Sequence, residues 1–291
     1  MCVAESKRWF APVLFIAQPL CFIITNRYLM IKFFRKIRQN LLSEGKTGKY
    51  FKYALGEIIL VVIGILIALQ INNWNEQRKD KIKEQSLLKQ LQEDYQSNLL
   101  QLEEKMATRE IMLKSAVQLL NAFDEPVGVF RDSVIKNLAD IRNEPTFDPI
   151  KNNLTSSENL RLISNNELRR LLSNWSSDVV GVTEIETNWI KLLNEQYHPI
   201  ISELGLGRDV YNSFMNASKH YWLLDKNSNS FKSEIGISKL SATLNEILIN
   251  KNLESIISAA IVLNRGANLQ SDALRRRILE ILELIEDEMK N

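Results

Sequence analysis

The chain has 291 residues, and its 37 Lys and Arg against 35 Asp and Glu leave a net charge of +2, which is not the composition of a nucleic-acid-binding protein. Its 45% apolar content excludes wholesale disorder, and 10 Gly and 6 Pro are too few for a protein of many tight turns. The charge is unevenly distributed: residues 1–53 hold ten basic and two acidic residues, or +8, which leaves 27 basic and 33 acidic residues, or −6, in residues 54–291. A basic head before a mildly acidic body is typical of a chain oriented across a membrane.

Both cysteines, Cys2 and Cys21, lie near the N-terminus, so the rest of the sequence offers neither a disulfide framework nor a cysteine-ligated zinc site. Residues 9–25 form an apolar stretch that is interrupted by two prolines. Three interpretations stay open: a signal peptide without a recognisable cleavage site, a short first membrane helix, or an upstream extension, residues 1–29, before a natural start at Met30.

Residues 30–52 are predicted to form a basic amphipathic cytoplasmic segment. Ile31, Phe34, Ile37 and Leu41 recur at helical spacing, and Lys and Arg fill the positions around them. A helix of this kind lies in the lipid headgroup layer with its apolar face down. The alternative is a surface helix of a soluble domain, which the apolar run that follows makes less favourable.

Residues 53–75 are predicted to be a transmembrane helix. Its central part, residues 58–69, is uninterrupted apolar sequence, and Tyr53 and Trp74 stand at the two ends, where such rings prefer the membrane interface. At a rise of about 1.5 Å per residue, residues 54–71 would be roughly 27 Å long, close to the hydrocarbon thickness of a bilayer.

The flanking charges predict the orientation of this helix. Residues 27–52 hold eight Lys or Arg and one acidic residue, whereas residues 73–84 hold four and three. Because basic flanks stay inside, we expect the first flank in the cytoplasm and residues 76–291 outside it, as in a single-pass protein.

Two features of the span invite a functional interpretation. Gly56, Gly64 and Ala68 place small residues on a face that could contact a partner helix, as in a homodimer, although Gly and Ala are common in membrane helices in any case. Glu57 is a carboxylate inside the span, but we favour the interpretation that it reaches back towards Lys52 and water.

Residues 76–291 are predicted to be a helical domain. The predicted fold class is therefore all-α, with one transmembrane helix extended into a long helix and followed by an extracytoplasmic helical bundle. Residues 76–122 contain no Gly or Pro, and an apolar stripe of helical period runs through them, broken by Asn98 and Arg109. The stripe is too wide for a coiled-coil seam, so we expect it to pack on other helices of the chain. It comprises Leu88, Leu91, Tyr95, Leu99, Leu102, Met106, Leu113, Val117 and Leu120.

Turn and cap residues predict the remaining elements. We expect a stop at residues 124–128, a short helix over 130–142, an irregular crossing at 145–149, a helix capped by Asn165 or Asn166, and helices through the last fifty residues.

A search for catalytic chemistry is negative. The sequence has no phosphate-binding glycine loop, no HExxH and no GxSxG motif, and His198 and His220 each lack a ligand partner at metal-site spacing. We interpret Glu184, Glu186 and the acidic residues after 282 as solvated helix faces, and Arg275–Arg277 as a salt-bridged surface. No enzyme activity, cofactor, metal or nucleic acid is therefore predicted.

The stretch 147–175 is more constrained than a linker. We favour a connection that packs along the bundle; the alternative is a ligand site, for which Asn165, Asn166, Arg169 and Arg170 would offer polar contacts at a helix start.

Two runs, MIKFFRKIRQNLLSEGKTGKYFKYALGEIILVVIGILIALQINNWNE and TFDP…SSENLRLISNNELRRLLSNW, resemble a family of uncharacterised single-span bacterial membrane proteins, known as a domain of unknown function. The resemblance runs from Met30 to the C-terminus. It implies a bacterial source and one span with a helical extracytoplasmic part, and it implies no activity, ligand or catalytic residue. We expect the span to lie in the cytoplasmic (inner) membrane.

The sequence thus predicts a membrane-anchored helical interaction or scaffold protein of the bacterial envelope, whose partners are the lipid bilayer and other envelope proteins or itself. The alternative is an extracytoplasmic ligand-sensing module that works with a partner supplying the output. A membrane enzyme is the third and least favoured interpretation.

Overall fold

A computed structural model describes residues 47–150, 156–216 and 235–290, together with Arg35, Lys36 and Gln39. Throughout these residues the regular structure is helical, without a β-strand, so the all-α prediction is confirmed. The chain divides into two compact units, Met1–Arg78 and Lys79–Asn291. The predictions for residues 1–29, most of the basic segment 30–52, and His220 lie outside the described residues.

Within residues 47–290 the structure describes eight α-helices and one π-helical turn. In chain order they are α1 (Thr47–Asp124), α2 (Arg131–Ile141), α3 (Ser157–Leu162), α4 (Asn166–Leu192), α5 (His198–Glu203), α6 (Gly207–Met215), α7 (Leu244–Leu248) and α8 (Lys251–Lys290), and a π-helical turn, Leu193–Tyr197, joins α4 to α5.

In the first unit, α1 carries its apolar sequence fully exposed. By length and composition α1 is the one helix of the described chain that could cross a membrane, and none of its apolar window is buried. The helix begins before the predicted boundary at Tyr53 and continues without a break beyond Asn75, which confirms that a long helix follows the apolar segment.

The second unit is organised around two apolar cores. Core A joins the C-terminal part of α1 to α2, α5–α7 and the beginning of α8. Core B joins an earlier part of α1 to α4 and the C-terminal half of α8. The long helices α4 and α8 pack along each other, so the body is a helical bundle whose apolar interior is divided lengthwise.

The buried face of α1 differs in one place from the predicted stripe. Leu88, Leu91, Tyr95 and Leu102 are buried as predicted, but Val117 is 41% exposed. In its part of the helix the buried positions are instead Met112, Ala116 and Leu119. At about 100° per residue Val117 lies roughly 20° around the helix from Leu88, so the predicted stripe runs straight. The buried face moves around the helix instead, because the neighbours of α1 change from α4 and the end of α8 in core B to α2 and α5–α7 in core A.

Glycine and proline mark the ends of elements. Gly128 has a φ of 81° in the turn that follows α1. Gly205 follows α5 with a φ of 64°, and a Cβ there would lie 2.8 Å from the carbonyl oxygen of Leu240, so only glycine fits. Pro199 lacks the N–H that would bond in a regular helix, and the π-helical turn directly before it lets the chain continue into α5.

Candidate functional site

The polar residues predicted at the start of α4 are brought together there. Asn165 caps the helix, since its side chain accepts hydrogen bonds from the N–H groups of Glu167 and Leu168 at 2.9 and 3.0 Å. The guanidinium of Arg169 donates to the carbonyl oxygen of Ile163, at 2.7 Å from Nη2. Arg170 pairs with Glu167 at the surface. These contacts stabilise the helix start.

The remaining predicted positions are Asn166, which is exposed, and the small residues of the span. A Cβ on Gly56 or Gly64 would meet no atom within 4 Å, and Ala68 is exposed. Dimerisation through this face stays a prediction. In the described residues no group of three His, Cys, Asp or Glu side chains could hold a metal ion.

The most unusual arrangement in the bundle is a buried polar layer around Arg109. Its side chain is fully buried and pairs with Glu186, which is 5% exposed. Nη1 of Arg109 also donates to Asn268 Oδ1 at 3.1 Å and to Ser271 Oγ at 3.0 Å, both on α8. One side chain of α1 thus bonds to both α4 and α8 at the level where core A meets core B.

Burial works against both charges of this layer. It lowers the pKa of Arg109 below its ordinary value, although the neighbouring carboxylate opposes the shift. It raises the pKa of Glu186, against the opposing effects of Arg109 and of the hydrogen bond from the N–H of Phe147. Each charge is therefore tolerated because the other is present, and removing one partner would leave the other buried alone.

The predicted irregular crossing is an extended segment that lies over this layer. We call residues 143–150 the strap. Its side chains alternate, with Pro145, Phe147 and Pro149 buried and Thr146, Asp148 and Ile150 exposed. This period of two is that of a β-strand with one face in a core.

Helix side chains hold the strap by its backbone. Trp189 Nε1 donates to the carbonyl oxygen of Asn143 at 2.9 Å, and Arg109 Nη2 donates to that of Pro145 at 3.4 Å. The strap N–H groups donate in turn to carboxylate and amide oxygens: Phe147 to Glu186 at 2.9 Å, Asp148 to Gln101 at 2.8 Å, and Ile150 to Asn98 at 2.8 Å.

A groove of about 460 Å³ opens between the strap and α4. Its walls are Thr146–Pro149 on one side and residues between Trp175 and Thr187 on the other. Its size falls within the range of small-ligand sites, and its lining is mostly apolar, with Glu186 among the lining residues.

A second polar cluster ties α2 and α6 to the chain before α7. Arg131 Nη2 lies 2.8 Å from Asp209 Oδ2 and donates to Ser241 Oγ at 2.8 Å, and Ser238 N–H donates to Asp209 Oδ1 at 3.0 Å. Burial alone would raise the pKa of Asp209, but the hydrogen bonds from Ser238, Arg131 and Ser241 leave it below its ordinary value. A cavity of about 200 Å³ adjoins this cluster.

Residues 57–132 match a protein family whose description reads "Family of unknown function (DUF6090)". The chain contains a DUF6090 domain. No curated protein and no solved structure matches the chain. The matched range covers the exposed apolar part of α1, the part of α1 that follows it and the first two residues of α2, so it includes Asn98, Gln101 and Arg109 but not Glu186.

Two expectations about charged residues have different outcomes. The interpretation of Glu186 as a solvated surface residue is wrong, because it lies in the polar layer, whereas Glu184 is exposed as expected. The expected surface ion pairs of the arginine run are confirmed: Arg275 pairs with Glu103, and Arg277 with Asp178 and Glu280.

The sequence did carry a signal for the polar layer. Glu186 stands at the spacing of the buried residues Val179, Val182 and Trp189, and Arg109 interrupts the stripe of α1. Opposite charges at apolar positions of two helices indicate a buried pair.

Proposed function

We propose that the protein is a membrane-anchored helical interaction protein of the bacterial envelope, with the first part of α1 as its transmembrane anchor and residues 79–291 as its interacting part. The observation that carries this proposal is the exposure of eleven large aliphatic side chains between residues 58 and 71. All of them are 47–63% exposed, on every face of the helix: Ile58, Ile59, Leu60, Val61, Val62, Ile63, Ile65, Leu66, Ile67, Leu69 and Ile71.

A helix that is apolar all round needs an apolar environment. Leaving one Val, Leu or Ile side chain in water rather than burying it costs about 1.5–3 kcal/mol, so eleven of them on one helix call for lipid or protein around it. The flanking charges favour a lipid bilayer with the N-terminal flank in the cytoplasm, and Trp74, 63% exposed, stands where an interfacial ring is expected.

A membrane wash tests the anchor. The chain, tagged at its C-terminus and expressed in bacteria, should stay in the membrane fraction through alkaline carbonate and leave it only with detergent. Release by carbonate would contradict the anchor and would favour a protein partner as the cover of this helix.

The interaction role has its own test. Gentle crosslinking in cells, followed by detergent extraction and mass spectrometry, should recover an envelope protein in a fixed ratio to the chain. If the chain is recovered alone or only as a self-dimer, the result would count against a separate partner.

The ligand-sensing module is the second candidate, and the groove beside the strap is the observation that favours it. Its volume, its mostly apolar lining and its contact with the strap are those of a site that a small ligand could occupy. Screening the detergent-solubilised chain for ligand-induced thermal stabilisation tests this role. A flat response over a broad panel would count against it.

A further inference from the structure

We propose that the cleft between α1 and α4 beneath the strap is a binding site for an extended peptide, and that the strap occupies it as the chain's own ligand. The inference deepens the proposed interaction role by naming the chemistry of the partner. It does not depend on the membrane anchor.

The first support is that the cleft recognises backbone. Asn98, Gln101, Arg109, Glu186 and Trp189 all bond to strap N–H or C=O groups, in both donor and acceptor roles. Bonds of this kind carry affinity independently of side-chain sequence, as they do where an extended peptide pairs with a sheet edge.

The second support is the side-chain pattern that the cleft accepts. Every second strap residue is buried, and these three are Pro145, Phe147 and Pro149. Alternate pockets give specificity in extended-peptide recognition. The expected partner segment is therefore extended, with proline or aromatic residues at every second position.

The third support is that the strap contributes little to the apolar interior. Core A contains no strap residue, and Phe147 is the one strap residue of core B; Pro145 and Pro149 are the other buried strap side chains, whereas the helices supply most of the buried apolar residues. If the strap left the cleft, Arg109 and Glu186 would each lose one hydrogen bond to the strap backbone. Water could then reach both side chains and replace these hydrogen bonds. A short segment that buries three side chains can open locally without unfolding of the whole domain, since the longer helices bury many more.

The fourth support is an entry point for a competing chain. The groove of about 460 Å³ runs along the strap residues Thr146–Pro149. A partner peptide could therefore lie against α4 beside the strap before replacing it.

Peptide binding to the full-length chain in lipid nanodiscs tests the proposal. The probe is a capped, fluorescently labelled peptide with the sequence of residues 143–150, NEPTFDPI, and a scrambled peptide is its control. Phe147→Ala removes the strap's aromatic anchor but leaves every cleft side chain in place, while Phe130→Ala, at a residue 77% exposed outside the strap, is the matched variant.

We expect Phe147→Ala to bind the probe at least about tenfold more tightly than the wild type, because the cleft is vacant for a larger fraction of time. Phe130→Ala should behave as the wild type, and adding Gln101→Ala to Phe147→Ala should weaken binding again. If Phe147→Ala folds but binds the probe no better than the scrambled peptide, the proposal is overturned.

Hydrogen exchange of the wild-type chain is a second measurement that needs no variant. The amides of Phe147, Asp148 and Ile150 should exchange at least about tenfold faster than those of Leu171 and Leu172 in α4, which would show a separate opening of the strap. Equal rates would show that the strap opens only when the bundle unfolds, and would also overturn the proposal.

Discussion

The two parts of α1 show how one helix can carry two different surfaces. From Ile58 to Ile71 every large aliphatic side chain is exposed, whichever way it points. From Leu87 to Ala122 apolar residues are buried along one face, and among the polar residues buried with them Asn98 and Arg109 bond to other parts of the chain. The difference shows that a helix with apolar side chains on every face needs an apolar environment, whereas a helix with one apolar face can bury it against the other helices of the chain.

The largest effect is expected from charges placed in the middle of the apolar part of α1. Ile63→Arg together with Ile67→Arg should cost about 5–7 kcal/mol of membrane insertion, since each Arg near the helix centre costs about 2.5–3.5 kcal/mol. We expect the double variant to leave the carbonate-washed membrane fraction. Leu100→Arg, at a position 65% exposed on the bundle part of α1, should stay. Retention of the double variant would contradict a lipid-exposed span.

The next largest effect, on the free energy of unfolding, is expected from the buried pair of Arg109 and Glu186. Glu186→Leu leaves Arg109 buried without its partner and should lower the free energy of unfolding by about 3–5 kcal/mol. The double change Arg109→Met and Glu186→Leu should recover most of this loss. Denaturant unfolding followed by circular dichroism in detergent measures both, with Glu184→Leu at an exposed position as the control. The account of the polar layer fails if Glu186→Leu costs no more than the control.

A pH titration tests the second polar cluster. The pKa of Asp209 is lower in the folded chain than its ordinary value of 3.8, so its charge stabilises the fold above that value and this contribution is lost as pH falls through the folded pKa. Asp209→Asn should therefore lower the free energy of unfolding by about 1–2 kcal/mol at pH 7 and show a smaller loss on acidification than the wild type. The same acid dependence in both proteins would contradict this role.

The smallest effect on stability is expected at the helix cap, where two neighbouring asparagines should differ. Asn165→Ala removes a helix cap and should lower the free energy of unfolding by about 1 kcal/mol, while Asn166→Ala, one residue further on, should have almost no effect. Thermal unfolding of the two variants measures the difference. Equal effects would mean that the cap contributes nothing here.

The fold was largely predictable because its signals are local. Helical periodicity identified α1, α4 and α8, and the turn after α1 followed from Pro126 and Gly128. The exposure of Val117 was not predictable from the repeat, since the buried face of α1 is set there by α2 and α5–α7 rather than by the α4 and α8 residues of core B.

The polar layer and the strap could not be assembled from local signals. Arg109 and Glu186 are 77 residues apart in sequence, and Phe147 is 39 residues from Glu186, so only the tertiary fold shows that they meet. Most Glu side chains are solvated, so the sequence favours a surface position for Glu186, and its spacing with Val182 and Trp189 is the weaker signal. Of the stretch 147–175, which the sequence predicts to be more constrained than a linker, the part in the strap is held by Asn98, Gln101 and Glu186.

The central proposal, that α1 crosses the membrane with the bundle outside, is tested most directly by cysteine labelling. Cys2→Ser and Cys21→Ser remove both native thiols, and a single cysteine is then placed at Gln39 or at Ser258, both of which are exposed. With a membrane-impermeant maleimide on intact spheroplasts, the account predicts that Ser258→Cys is labelled at once and Gln39→Cys only after lysis. Labelling of both cysteines, of neither, or of Gln39→Cys alone before lysis would contradict it.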